Sequence, residues 1–360
     1  MGDSMNDSIM LQNIREQPRV VTDCLAIDLP LPGSFLSAQR IMLLACGSSR
    51  HAGLVAQHWF ETIAKIPVQV LDAADWTDRS PLVESNTLII ALSQSGKTKD
   101  LLEALAQIKA VNREIQVLAI VNAADSPLVH LADASIVTPA GPEGAVAATK
   151  SFSAQLAILA RITVNLAEYK SLVSTSLFPV SISKLCTDLE LLPEAIVKSL
   201  DHLQHQIGKG VGLDWMVSES IVLLGRGIQQ PIALEGALKL KETAYVHAEG
   251  FGAGDFCHGP MAILKPGFPI IALMPDLKMR SDLHRFQTLG CTVIGIGKRG
   301  HDCLRHDCLL GLDQVFELES IADWLMPFLI VLPLQLLACD WARSRGLDVD
   351  QPRYLTKFIG

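Results

Sequence analysis

Short aliphatic segments alternate along the chain with longer stretches in which apolar residues recur every three or four positions. The short segments have the length of β-strands, and the longer stretches have the period of helices with one buried face. Five short segments lie in the first half, at 41–45, 68–71, 87–92, 116–121 and 135–138. Four more lie in the second half, at 221–225, 269–274, 292–297 and 315–318. This alternation predicts an α/β fold with doubly wound parallel sheets.

The two series of strands look like copies of one another. Leu43-Leu44-Ala45-Cys46-Gly47 precedes the strand end at Leu92, and Leu223-Leu224-Gly225-Arg226-Gly227 precedes the strand end at Leu273 by a similar distance. An internal repeat of this kind predicts two similar subdomains related by duplication. We place them at 1–195 and 196–340, followed by a C-terminal tail at 341–360 that closes the site.

The sequence also predicts the structure of three further segments. Helical periodicity over 170–215 predicts a helical link between the halves, and the chain from Arg343 onward is predicted to be a loop that leaves the core. The apolar run 324–339 contains Pro327 and Pro333 and is bounded by aspartates. It therefore predicts a buried helix rather than a membrane span.

Composition and charge exclude several functions. The net charge is −8, and no basic cluster is interleaved with aromatic residues, so a nucleic-acid partner is not expected. The eight cysteines show no repeated spacing and the N-terminus is polar, which predicts reduced thiols and a cytoplasmic protein without a membrane partner. Two His and two Cys lie within 301–308, but their spacing fits no usual metal site, so this segment is predicted to be a surface loop.

The end of the strand at 87–92 carries the strongest chemical signal. It runs into Ser93-Gln94-Ser95-Gly96-Lys97-Thr98, in which hydroxyl groups surround one glycine and a helix is predicted to start near Lys99. Hydroxyl donors beside a helix N-terminus favour a bound phosphate. A nucleotide P-loop needs a glycine where Ala91 stands, so a phosphorylated metabolite is favoured over ATP. The alternative is a serine-rich turn that binds no ligand.

The strand end at Cys46-Gly47-Ser48-Ser49 is expected to lie beside this turn. Ligands of doubly wound sheets bind at the carboxyl ends of the strands, near the point where the strand order reverses. The sequence therefore predicts one cleft that both strand ends line.

Acid and base candidates lie in the second half. A helix predicted over 231–247 places Glu235, Lys239 and Glu242 on one face, and the alternative is an exposed ladder of salt bridges. His258 follows in a glycine-rich run at 250–260 that is predicted to be a loop. Lys357 by itself would be taken for a solvated tail residue.

Several of these motifs together resemble the sugar-isomerase (SIS) half of glucosamine-6-phosphate synthase, from about Gln12 to the end of the chain. They are Cys46-Gly47-Ser48-Ser49, Ser93-Gln94-Ser95-Gly96, the segment 233–242, His258-Gly259-Pro260 and the segment 348–353. The resemblance implies a hexose-6-phosphate site. Its phosphate would be bound by Ser93, Gln94, Ser95 and Thr98, with Ser48, Ser49 and Val146 lining the sugar.

The resemblance also implies catalytic roles. Glu242 matches the base that moves a proton between C1 and C2, and His258 matches the ring-opening histidine contributed by the neighbouring subunit of a homodimer. Lys239 matches a lysine near the O1/C1 end, and Lys357 matches the C-terminal lysine that meets the open-chain sugar. Aldose–ketose interconversion of this kind needs no metal or redox cofactor.

Departures from the synthase pattern direct the functional prediction. Arg15-Glu16-Gln17-Pro18 resembles the entry to the isomerase half with almost nothing before it, which predicts that no glutaminase domain supplies nitrogen. Lys97 and Ala148 stand where the synthase has an acidic residue and a serine. We therefore expect a deaminase that converts glucosamine-6-phosphate and water to fructose-6-phosphate and ammonia. The alternatives are a plain phosphosugar isomerase, a galactosamine-6-phosphate deaminase and a non-catalytic sugar-phosphate sensor.

Overall fold

A computed structural model describes residues 8–29, 31–79, 82–84, 86–173, 181–207, 214–300 and 312–357. These residues form two compact units, each assembled from separate stretches of chain. The first-sheet unit contains the described residues of 19–143, 150–190 and 356–360, and the second-sheet unit contains those of 1–18, 144–149 and 191–355. The two units thus interleave along the chain, whereas the sequence predicts consecutive domains divided at 195 and 340. The metal-like segment 301–308 lies outside the described residues.

The described strands and helices alternate as the hydrophobic pattern predicts. The strands are β1 (Arg40–Ala45), β2 (Val68–Asp72), β3 (Thr87–Ser93), β4 (Gln116–Val121), β5 (Ala134–Val137), β6 (Ser220–Gly225), β7 (His247–Gly252), β8 (Pro269–Leu273), β9 (Thr292–Lys298) and β10 (Gln314–Leu318). The α-helices are α1 (Ile9–Arg15), α2 (Gln17–Ala26), α3 (Gly33–Leu36), α4 (Gly47–Thr62), α5 (Trp76–Arg79), α6 (Lys99–Val111), α7 (Pro127–Leu131), α8 (Lys150–Val173), α9 (Ile182–Ile207), α10 (Gln230–Ala244), α11 (Ala253–Phe256), α12 (Arg280–Thr288) and α13 (Met326–Ser344). The predicted α/β fold is confirmed.

The first sheet has the strand order β2-β1-β3-β4-β5, and every pair of neighbouring strands is parallel. Residues of β3 are buried along its whole length, as expected for a central strand covered on both faces. Because β1 and β3 are neighbours, their carboxyl ends meet at one edge of the sheet, where the chain order reverses. This edge carries the two polar strand ends that the sequence singles out.

The second sheet has the order β10-β9-β8-β6-β7 and is also parallel throughout. Its edge strand β7 is absent from the sequence prediction, which continued the preceding helix to residue 247 and began a loop at 250. That prediction was wrong. Helix α10 ends at Ala244, where Tyr245 takes a left-handed conformation with φ of 55° and turns the chain into the strand.

Gly250 allows β7 to lie directly against α10. A Cβ atom at this position would lie 2.6 Å from the backbone of Ala233 and of Leu234, so neither side can give way by rotating a side chain. We expect Gly250→Ala to lower the free energy of unfolding by about 1–3 kcal/mol, the usual cost of overpacking. Urea denaturation measures this loss. Gly254→Ala is the control, because a Cβ at that position meets no atom within 4 Å. Equal stability of the two variants would contradict the close packing.

Helix α13 forms much of the core of the second-sheet unit. Its length and composition would allow it to cross a membrane, but its most apolar 18-residue stretch is 94% buried inside the protein. The side chain of Gln335 is buried in this helix, and its amide oxygen accepts a hydrogen bond of 2.7 Å from the side-chain amide of Gln17. The predicted buried helix is confirmed, and it extends further, to Ser344.

The described chain after α13 contains no helix or strand, as predicted, but specific contacts dock it. The carboxylate of Asp350 accepts hydrogen bonds from the backbone N–H groups of Ile9 and Met10, and thereby caps α1. The guanidinium of Arg353 lies 4.2 Å from the ring centre of Tyr245, whose hydroxyl accepts a hydrogen bond from the Arg353 backbone. Capping and ring contacts therefore hold this segment in place.

Candidate active site

The turn between β3 and α6 is built by its own hydroxyl groups. Ser93 is buried, and its Oγ accepts a hydrogen bond of 3.0 Å from the N–H of Gly96. The same Oγ lies 2.9 Å from Oγ1 of Thr98. The Oγ of Ser95 accepts a hydrogen bond of 3.1 Å from the N–H of Lys97. Ser93 therefore shapes the turn, while Ser95 and Thr98 are partly exposed at its surface.

Glycine is required at position 96 for two reasons. Its φ is +62°, in the left-handed region that residues with a side chain rarely adopt. A Cβ would also lie 2.1 Å from Oγ of Ser126, which is buried behind the turn. The turn therefore brings backbone N–H groups and hydroxyls to the carboxyl edge of the first sheet, next to the N-terminus of α6. This geometry suits a phosphate group.

The neighbouring strand end places Ser48 and Ser49 in the first turn of α4 at the same edge of the sheet. The Oγ of Ser49 accepts a hydrogen bond of 3.0 Å from Nε2 of Gln155, a buried residue of α8. Nearby, burial and the carboxylate of Asp72 raise the pKa of Cys46 to about 12, so this thiol is protonated at neutral pH. Sequence reasoning missed Gln155, because a glutamine inside an apolar helix carries no local signal of its role.

The loop between β5 and α8 contains Val146, which was predicted to line the sugar, and Glu143, which contacts the predicted Lys357. Val146 is half-buried, and its N–H donates a hydrogen bond of 3.1 Å to the carbonyl of Asp350. Within the first-sheet unit, the ammonium of Lys357 lies 3.1 Å from a carboxylate oxygen of Glu143. Lys357 is therefore not a solvated tail residue. Glu143 is a second residue that the sequence prediction missed.

Helix α10 carries a buried cluster of charges. The side chains of Glu235 and Lys239 are fully buried, and that of Glu242 is 20% exposed. The Nζ of Lys239 lies 3.4 Å from Oε1 of Glu235 and 2.6 Å from Oε2 of Glu242. The alternative of an exposed salt-bridge ladder was therefore wrong.

Opposing effects act on the Lys239 ammonium. Burial lowers its pKa, but the carboxylates of Glu235 and Glu242 raise it more, and the net pKa lies above the ordinary value for lysine. Lys239 is therefore a permanent cation at neutral pH. The contact with Glu242 is the shorter of the two ion pairs, and Glu242 is the more exposed of the two carboxylates. Glu242 is therefore the carboxylate of the cluster that a ligand can reach.

His258 is exposed in the second-sheet unit, between α11 and a short 3₁₀-helix at Pro260–Ile263. Its backbone N–H donates a hydrogen bond of 3.0 Å to the carbonyl of Asp255. The predicted long glycine-rich loop is thus replaced by β7, α11 and a short connection. An exposed imidazole at this connection is accessible to a ligand or to another chain.

Two parallel, doubly wound sheets with the same local strand order, one carrying a polar turn at its switch point, define a duplicated α/β protein of the class that binds ligands at strand ends. The SIS domain model matches residues 34–164 and 216–343. The chain therefore belongs to the SIS domain family, as the sequence motifs predict.

Two aminotransferases and one deaminase are similar to this chain. The C-terminal domain of glucosamine-fructose-6-phosphate aminotransferase from Francisella tularensis is 32% identical, with a TM-score of 0.86 over 98% of this chain and 100% of that domain. Glutamine–fructose-6-phosphate aminotransferase [isomerizing] from Mycobacterium leprae is 35% identical over 97% of this chain and 57% of its own length. The chain thus spans little more than half of that relative. Glucosamine-6-phosphate deaminase from Thermotoga maritima, 23% identical with a TM-score of 0.74 over 98% of this chain and 99% of its own, shows the fold alone.

Proposed function

We propose that this protein is a glucosamine-6-phosphate deaminase of the phosphosugar-isomerase type, which acts in the cytoplasm and produces fructose-6-phosphate and ammonia. The observation that carries the proposal is the charge cluster of α10. There, Glu242 is paired with the ammonium of Lys239, and it is the carboxylate of the cluster that is partly exposed. Such a group can accept a proton from carbon and return it to a neighbouring carbon.

The proposed reaction moves one proton from C2 to C1 and then replaces the amino group with oxygen from water. In the open-chain sugar, Glu242 takes the proton from C2 while O1 is protonated, which gives an enolamine. Glu242 then returns the proton to C1, which gives an imine at C2. Water adds to this imine, ammonia leaves, and the ketone of fructose-6-phosphate remains. His258 would open the ring, and Lys239 would stabilise the charge that develops at O1.

The turn at 93–98 would bind the 6-phosphate. Ser95 has its oxygen engaged by the N–H of Lys97, which leaves the hydroxyl proton for a ligand. We expect Ser95→Ala to weaken binding of hexose-6-phosphates by about 1.5–3 kcal/mol, the cost of one hydrogen bond to a charged group. Calorimetry with fructose-6-phosphate measures this. Ser135→Ala, which removes an exposed hydroxyl from β5, is the control. Unchanged affinity in Ser95→Ala would place the phosphate elsewhere.

The names of the relatives support this choice of sugars. The two aminotransferase relatives, which are 35% and 32% identical to this chain, have fructose-6-phosphate in their names. The test is a panel of glucosamine-6-phosphate, galactosamine-6-phosphate and fructose-6-phosphate, with ammonia and sugar products measured separately and no glutamine added. Ammonia from glucosamine-6-phosphate supports the proposal. Ammonia from the galactose epimer alone, or sugar isomerisation without ammonia, would replace it with one of the alternatives.

The proposal includes a homodimer in which His258 completes the site of its partner. Chains carrying Glu242→Gln are mixed with chains carrying His258→Ala after reversible dissociation. With random pairing about half of the dimers are mixed, and one of their two sites is intact, so activity should return to roughly a quarter of the parent level. Neither variant should recover when it is mixed with itself. Exchange of chains shown by mass spectrometry, but without recovery, would place both residues in one subunit.

A further inference from the structure

Glu143 is a buried carboxylate with a specific set of partners. Its side chain is fully buried, in the loop that precedes α8. Its Oε2 accepts a hydrogen bond of 2.6 Å from the hydroxyl of Ser151, and its Oε1 accepts one of 3.3 Å from the Ser151 backbone N–H. Both oxygens are therefore fixed by the first turn of α8.

The cation beside this carboxylate comes from the C-terminal end of the chain. The Nζ of Lys357 lies 3.1 Å from Oε2 of Glu143, and the lysine side chain is only 18% exposed. A lysine so near a chain end is normally solvated and mobile. A buried carboxylate without a cation is strongly unfavourable. Breaking this pair therefore costs more free energy than breaking an exposed ion pair.

The segment before Lys357 is already anchored. Asp350 caps α1, and Arg353 contacts Tyr245 at the end of α10. Lys357 follows four residues after Arg353 in the sequence. The contact with Glu143 is thus a further anchor, and it acts on the residue that resembles the lysine of the sugar site.

We propose that Glu143 is a positioning residue, which holds the ammonium of Lys357 and thereby docks the end of the chain. Glu143 itself touches no reacting atom. The effect of Glu143 on catalysis rests on the proposed function, because it depends on the role of Lys357. The effect of Glu143 on docking is independent of the proposed function. The two can therefore be tested apart.

Hydrogen exchange at the amides of residues 354–357 tests the docking. We expect Glu143→Gln and Lys357→Ala each to raise the exchange rate of these amides about tenfold, and the double variant to raise it no further, because both remove one interaction. Asp133→Asn is the matched control. Asp133 also accepts hydrogen bonds from a lysine, Lys109, and from a backbone N–H, that of Val117, within the first-sheet unit.

Unchanged exchange in Glu143→Gln, or rate increases that multiply in the double variant, would overturn the proposal. Lys357→Ala removes the same pair but leaves the two hydrogen bonds from Ser151 to Glu143 in place, so it decides the matter if Glu143→Gln folds poorly. If the deaminase activity is present, Glu143→Gln should lower kcat, and adding it to Lys357→Ala should cost less than about twofold more. Independent losses in kcat would show that Glu143 does not act through Lys357. If no sugar is turned over, the proposed function fails while the exchange result still stands.

Discussion

Lys239→Met is expected to lower the free energy of unfolding by about 3–5 kcal/mol. Methionine fills nearly the same volume, but it leaves the buried carboxylate of Glu235 and the largely buried carboxylate of Glu242 without their cation. Removing one partner from a buried ion pair is costly because the remaining charge cannot be solvated. Urea denaturation of the parent and the variant at pH 7 measures the difference.

Lys241→Met is the matched control for this prediction, because Lys241 is an exposed lysine on the same helix. Its removal should change stability by less than about 0.5 kcal/mol. The pKa of Lys239 is raised in the folded protein, so its contribution is fully present below the ordinary lysine pKa of 10.5 and is lost as pH rises through the higher folded value. The deficit of Lys239→Met should accordingly be constant from pH 7 to about 9. Equal effects at positions 239 and 241 would contradict a buried charge cluster.

Glu242→Gln is expected to lower kcat for release of ammonia from glucosamine-6-phosphate by about 10²–10⁴-fold, the usual contribution of a general base. Glutamine keeps the shape of the side chain but cannot take a proton from C2. KM should change little, because the phosphate turn is intact. A coupled assay for ammonia at saturating substrate measures kcat.

Glu249→Gln provides the control for this loss. Glu249 is an exposed carboxylate on β7 in the same unit, outside the α10 cluster. Its replacement should leave kcat within about twofold of the parent, as is usual for surface positions. A Glu242→Gln variant that keeps most of the parent kcat would assign proton transfer to another group.

Hydrophobic patterning predicts most of this fold because most of its strands are aliphatic. The predicted segment 116–121 coincides with β4, and 87–92 falls one residue short of β3. The edge strand β7 was missed because its sequence, His247-Ala248-Glu249-Gly250-Phe251-Gly252, has two glycines and little apolar character. It forms because Gly250 lets it pack against α10, and a contact with a helix earlier in the chain is invisible to local patterns.

The candidate site was predictable where motifs are continuous. The turn at 93–98 and the spacing of Glu235, Lys239 and Glu242 are local signals, although their burial is not. The partner of Lys357, in contrast, could not be predicted from a local motif. Glu143 lies more than two hundred residues earlier, in a loop without a motif of its own, and only the folded chain brings the two together. Gln155 beside Ser49 is a further long-range contact of this type.

An NMR time course of glucosamine-6-phosphate with the purified protein in deuterated water tests the central claim most directly. We expect fructose-6-phosphate and ammonium in equal amounts, without glutamine, and with a hydrogen newly bound at C1 that is the one removed from C2 or, where Glu242 has exchanged with the solvent, deuterium. A sugar that stays unchanged, or one that exchanges hydrogen at C2 without releasing ammonium, would contradict the proposed deaminase.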